Sequence, residues 1–120
     1  MAFWQDQGTL GNRYVKNNKK MIRERFRTEV FARDKNRCRV CGVLEVPLDA
    51  HHITDRNQMP NGGYVKENGI ALCNQPGGCH EKAEVFHSTG KSLPGFSPKE
   101  LYALIGSSLD KAAESSKRLK

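Results

Sequence analysis

Ile22, Phe26 and Val30 recur every four residues, the period of one helix face, and predict a helix over 19–35. If that helix begins early enough, Lys16, Lys20, Arg23 and Arg27 line the neighbouring stripe, so one side packs and the other presents cations. Asp34-Lys35-Asn36-Arg37 ends it. Leu48 to Ile53 reads as a strand and Asn68 to Leu72 as a second one. Between them Pro60-Asn61-Gly62-Gly63 is a strong turn signal, so the two strands predict an antiparallel hairpin. Cys79 to about Phe86 reads as helix, stopping near Ser88-Thr89-Gly90. A last helix opens at Ser97-Pro98-Lys99-Glu100, where Ser97 caps, Pro98 fits the first position and Glu100 completes a capping box. Its Leu101, Leu104, Ile105 and Leu109 share a face expected to dock on the domain. Residues 1–18 read as an irregular arm, with Trp4 and Tyr14 available to pin it or to stack on bases. Residues 111–120 read as a basic C-terminal tail, with Lys117-Arg118-Leu119-Lys120 frayed. The expectation is a small α+β fold with one domain over 19–110.

Length supports one core and not two: the chain has 120 residues. A structural metal is a common supplement at this size. The net charge of +7 is unevenly placed. Eleven Lys/Arg face three acids from Asn12 to Cys41, whereas nine bases face nine acids from Gly42 to Lys120. An excess confined to one helical element suits a polyanionic partner, or else a solvated face that aids solubility. No apolar run approaches membrane-spanning length, and Met1-Ala2-Phe3-Trp4-Gln5-Asp6 lacks the basic start and apolar core of a signal peptide. These features predict a cytosolic protein, in which cysteines serve as metal ligands or reactive thiols more often than as disulfides.

The four cysteines form two pairs, Cys38-x2-Cys41 and Cys73-x5-Cys79. Two thiolate pairs on separate turns complete a tetrahedral Zn2+ shell. The second spacing is wide, so Pro76-Gly77-Gly78 must fold the extra residues outward. A redox CxxC needs a thioredoxin-like βαβ context that this chain lacks.

Between the pairs lie His51 and His52, adjacent on a strand and so directed to opposite faces. His80 and Glu84 are four apart on a helix and share a face. His51, His80 and Glu84 would make a three-donor shell with room for water and phosphate oxygens, suited to Mg2+, Mn2+, Ni2+ or Zn2+. Cutting a phosphodiester needs a deprotonated water, neutralised charge at phosphorus and a stabilised leaving oxygen. An imidazole of ordinary pKa ~6.5 is a suitable base. Each residue also has a plainer reading: an exposed His pair, a capping His80, a surface Glu84, a turn-forming Asn68. It is the joint pattern that points to a site.

That joint pattern, Cys38-x2-Cys41-Gly42, Leu48-Asp49-Ala50-His51-His52-Ile53, Glu67-Asn68-Gly69-Ile70-Ala71-Leu72-Cys73 and Cys79-His80, resembles the HNH endonuclease family over roughly residues 28–87. The small single-domain form is similar to phage-type HNH nucleases. The resemblance implies a ββα-metal fold with a four-cysteine zinc site. It implies His51 and His80 as ligands of a catalytic divalent ion, His52 as general base, and Asn68 as the residue that bonds the hairpin loop and orients His52. The family often has a third histidine where this chain has Glu84. Helix geometry favours Glu84 over His87, which lies about 10 Å along the axis from His80. Asp49 would either orient His51 or face solvent. The implied activity is DNA hydrolysis leaving 5′-phosphate and 3′-hydroxyl ends, with nicking natural to a monomer. Arg23, Arg27, Arg33 and Arg37 are candidate phosphate contacts, and a phage or restriction-type complex is a conceivable setting. The alternatives are a non-catalytic zinc-stabilised DNA-binding or packaging module, and cleavage of RNA by the same chemistry.

Overall fold

The computed structural model describes the backbone of residues 11–119 and the side chains from Lys19 to Leu119. Of the arm expected over residues 1–18, residues 1–10, Trp4 included, lie outside the described residues, as does the side chain of Tyr14. A two-stranded antiparallel hairpin and four helices make a small α+β fold: α1 (Gly11–Arg33), β1 (Leu48–His52), β2 (Gly69–Cys73), α2 (Cys79–Thr89), α3 (Pro98–Leu104) and α4 (Leu109–Lys117). Two single turns of 3-10 helix, at Arg56–Gln58 and Lys66–Asn68, and a tight turn at Pro60–Gly63 with Asn61 and Gly62 at positive φ, fill the hairpin loop. Among the described residues no helix is long and apolar enough to cross a membrane.

Helix α1 begins eight residues before the expected 19 and absorbs part of the supposed arm. Asn17-Asn18 carries only a modest helix penalty, and extending an existing helix costs little. Phe26 and Val30 are buried and Ile22 is half-buried. Phe26 and Val30 meet Ala71 of β2, with Ala50, Phe31 and Tyr64 at the margin. Contact is close enough that a Cβ on Gly69 would come within 2.6 Å of both Phe26 and Val30, so only glycine admits the helix there.

The buried carboxylate of Asp34 fixes the end of α1. It accepts from Arg33 Nε (2.8 Å), Arg39 Nη1 (2.9 Å) and the Ala71 amide of β2 (2.9 Å). Arg33 also donates to the carbonyls of Lys66 and Gly69, both at 2.6 Å. Arg33, expected at a phosphate, therefore has its donors committed inside the protein. Asp34→Ala should cost about 3–5 kcal/mol, because two guanidinium groups and a buried amide lose their acceptor together. Urea unfolding at neutral pH measures this, and a loss below about 1 kcal/mol would show that the clamp contributes little.

β1 pairs with β2 from Leu48↔Cys73 to His52↔Gly69, so both histidines stand at the loop end of the hairpin. Helix α2 runs to Thr89, within the expected Ser88-Thr89-Gly90 stop, and ends where Gly90 adopts φ +79°. The single last helix expected from 97 proves to be two. Gly106 at φ +67° breaks the chain, and the Ser108 side chain accepts from the Lys111 amide to cap a new helix. Residues 111–117 of the expected basic tail are thus helical, and buried Ala112 and Ser116 fasten them to the body. The Ser97–Glu100 capping box is present as expected. Leu101 is buried and Ile105 partly so, Leu104 is exposed on α3, and Leu109 faces solvent beyond the break, which takes it off the face of Leu101. The larger core joins Ile53, Met59, Ile70 and Leu72 to Ala83 of α2 and to Leu101, Tyr102 and Ala112.

Candidate functional site

Two groups of donor side chains flank the hairpin. The first is the four cysteines, none in a disulfide, with all four sulfurs within 4.8 Å of one another. Cys38 and Cys41 sit on a tight turn after α1, closed by Cys38 N–H to Val43 O (3.2 Å) and Gly42 N–H to Cys38 O (2.9 Å). Gly42 at φ +78° permits the reversal. Cys73 ends β2 and Cys79 begins α2. The intervening 74–77 are exposed and turn outward, with Gly78 N–H bonded to Gln75 O (2.8 Å). The wide spacing is accommodated in this way.

Cys41 Sγ and Cys73 Sγ are 3.9 Å apart. The edge of a tetrahedron with Zn–S bonds of 2.3 Å is ~3.8 Å, so the spacing suits a zinc ion. Backbone amides of Cys41 and Cys79 point at Cys38 Sγ (3.5 Å) and Cys73 Sγ (3.2 Å). Burial pushes the Cys38 thiol up, but hydrogen bonds with the backbone of Cys41, Cys73 and Val40 outweigh it and bring its pKa to about 7. Burial and the adjacent sulfurs push Cys79 strongly up. Four thiolates this close repel one another unless a cation joins them, and the cluster could hold a structural metal such as zinc.

The second group lines a cavity of about 250 Å3 beside the loop end of the hairpin, between β1 and α2. Its walls include Asp49, His51, His52, Arg56, His80, Glu84 and His87. Alternation along β1 sends the adjacent imidazoles to opposite sides. His51 lies toward α2, 2% exposed, with its ring 5.3 Å from that of His80 and 5.2 Å from that of His87. His52 lies toward α1, stacked on Phe26 (4.6 Å) and edge-on to Tyr64 (4.7 Å). Both still reach the one cavity.

Glu84 is the hub. Its Oε2 is 3.1 Å from His51 Nδ1 and 3.4 Å from His80 Nε2. His51 Nδ1 nevertheless has no aligned hydrogen-bond partner, and neither has His52 Nε2. Asp49 was expected to orient His51 or face solvent; its Oδ2 instead lies 3.2 Å from His80 Nδ1. His87, set aside from sequence by its distance from His80, borders the cavity after all. β1 runs beside α2, so the ring of His51 meets two histidines a full two turns apart. His51, Glu84 and His87 each offer a ligand atom within 4.8 Å of the others, a set that could hold an ion.

Burial lowers the His51 pKa more than the Glu84 carboxylate raises it, so the ring is neutral at pH 7. The His51 ring in turn holds the Glu84 carboxyl at about 2. Burial, reinforced by His51 and Arg56, lowers His52 from 6.5 to about 4. Unfolding restores the ordinary value, so the unfolded chain binds the extra proton between about pH 4 and 6.5. Stability from neutral His52 is therefore complete above that window and is lost as pH falls through it, on the order of 1–3 kcal/mol. Melting temperature should fall more steeply from pH 7 to pH 5 in the wild type than in His52→Phe, which keeps the stack on Phe26. Parallel slopes would contradict the shift.

Asn68 is fully buried and bonds the hairpin loop at both ends. Its Nδ2 donates to Thr54 O (3.0 Å) and Gly63 O (3.2 Å), and its Oδ1 accepts from Thr54 N–H (3.0 Å). Thr54 is two residues from His52, so Asn68 fixes the exit of the strand that carries it. Sequence reasoning missed the fourth bond, Tyr102 O–H to Asn68 Oδ1 at 2.6 Å, with Thr54 Oγ1 2.7 Å from the same phenol. No spacing marks Tyr102, which reads as one more apolar position of α3. Of the candidate arginines, Arg23 lies over the Tyr64 ring (5.9 Å), Arg27 is 3.9 Å from Asp49, and Arg37 is exposed on the cysteine turn. Arg56, also missed, lines the cavity itself and reaches Tyr64. Comparison of the chain with family models, with curated proteins and with solved structures returned no match.

Proposed function

We propose that the protein is a metal-dependent endonuclease of the HNH type acting on DNA. The observation that carries this reading is the one cavity shared by a neutral, unpartnered imidazole, His52, and by the donors His51, His80 and Glu84. A divalent cation held by those donors would neutralise charge on a phosphate oxygen and on the leaving 3′ oxygen. His52 takes the proton from the attacking water. Its low pKa keeps it unprotonated at neutral pH, ready to accept, though it makes the ring a weak base. Asn68 holds the Thr54 backbone and through it the strand bearing His52. The cysteine cluster, filled with zinc, ties the start of the hairpin to the start of α2 and so sets the position of His80 and Glu84 against His51.

The cationic face of α1 supports a polyanionic substrate. Arg23 and Arg27 are exposed and lie near Tyr64 and Asp49, beside the cavity, with Arg56 at its wall. Binding through such groups weakens steeply with salt. The test is incubation of zinc-loaded protein with supercoiled plasmid at low salt, with EDTA or with Mg2+, Mn2+ or Ni2+, beside a structured RNA. Nicked circles that need added cation are expected. DNA binding without cleavage under every cation would overturn the nuclease reading and favour a zinc-stabilised DNA-binding module; cutting of RNA alone would correct the substrate.

A further inference from the structure

His87 lines the cavity and has no role in the reading above. A ring nitrogen, Nε2, lies 3.0 Å from the carbonyl oxygen of His52. A carbonyl only accepts, so Nε2 carries a proton, and in the neutral ring Nδ1 keeps its lone pair. A hydrogen bond from one nitrogen to a main-chain carbonyl is the usual way a ligating imidazole is held in the correct tautomer. The ring is further fixed by stacking on His51 at 28°. His51 is itself almost wholly buried, with Nδ1 unpartnered, and it shares with Glu84 and His87 the cluster of ligand atoms within 4.8 Å.

We infer that His87 is a further donor to the cation of this pocket, and that its imidazole sets the choice of ion toward Ni2+ or Co2+ and against Mg2+; this rests on the reading of the pocket as a cation site. With His51 and Glu84 it forms the set whose ligand atoms lie within 4.8 Å of one another, two imidazoles to one carboxylate, and His80 borders the same cavity. Imidazole suits the later first-row ions, whereas Mg2+ favours carboxylates and water. His80 Nδ1 lies 3.2 Å from a carboxylate oxygen of Asp49. His87 differs in gripping the main chain of His52, so the group that favours the ion also holds the peptide of the proposed base.

The experiment is calorimetric titration of Ni2+, Co2+ and Mg2+ into zinc-loaded wild type and His87→Gln, with visible spectra of the Co2+ form. An outer-shell partner is worth about 10–100-fold in metal affinity, and loss of a direct donor should match or exceed that. His87→Gln is therefore expected to weaken Ni2+ and Co2+ by at least about tenfold, with an altered Co2+ spectrum, while Mg2+ affinity changes little. Should the variant fold poorly, side-chain 15N resonances of wild type decide the matter: Zn2+ added beyond the cysteine site should move the His87 Nδ1 signal while its Nε2–H persists. Unchanged Ni2+ affinity and Co2+ spectrum in His87→Gln, or a His87 Nδ1 signal indifferent to the ion, would overturn the inference even if plasmid is cut. Tight binding through His87 by a protein that cuts no nucleic acid would leave the inference standing and remove the nuclease reading.

Discussion

Cys73→Ser is expected to abolish the zinc content and the cooperative unfolding transition together. Cys73 is buried at the end of β2, and its sulfur accepts the amide that opens α2. A serine there presents a harder, shorter donor to the ion and leaves three thiols crowded without a cation. The apparent free energy of structural zinc binding in small domains is about 10–16 kcal/mol, as large as the whole stability of a domain this size. What remains without it is a hairpin and short helices with a divided core. The measurement is metal content by mass spectrometry with thermal or urea unfolding of the same sample. A soluble Cys73→Ser protein that unfolds cooperatively without zinc would show that the cysteines are not a scaffold-holding site.

His52→Ala is expected to lower plasmid cleavage by about 10²–10⁴-fold, the usual contribution of a positioned general base. The imidazole leaves a gap between Phe26 and Tyr64, but it also takes away a buried polar nitrogen that has no partner. The stability change should therefore stay within about 1–2 kcal/mol. Zinc content and DNA affinity should be unchanged, since neither the cysteines nor the α1 cations are touched. Normal cutting by the variant would move the proton-accepting role elsewhere in the cavity.

The parts of the site legible in the sequence are those set by local geometry. Alternation on a strand separates His51 from His52, and a helical period places His80 beside Glu84. A CxxC followed by glycine fixes its own turn. Illegible were contacts made across the fold. His87 was measured only along its own helix, from His80, and the strand that lies alongside that helix could not be seen. Asp34 looked like a helix-ending residue because nothing local shows that Arg39 and the Ala71 amide converge on it. Tyr102 carries a hydroxyl whose partner is 34 positions away. The division of the last helix was local, by contrast, and Gly106-Ser107-Ser108 was a readable signal that the run of leucines obscured.

The phenol of Tyr102 limits what can be excised. Grafting only the stretch from Asp34 to Gly90 onto a foreign scaffold would carry over the four sulfurs, the four imidazoles and Glu84, and would omit the hydroxyl that anchors the amide of Asn68. Such a chimera would leave Asn68, and through it the Thr54 backbone, short of one hydrogen bond unless the host supplied an equivalent hydroxyl. The C-terminal helices are in this sense a lever arm on the hairpin loop.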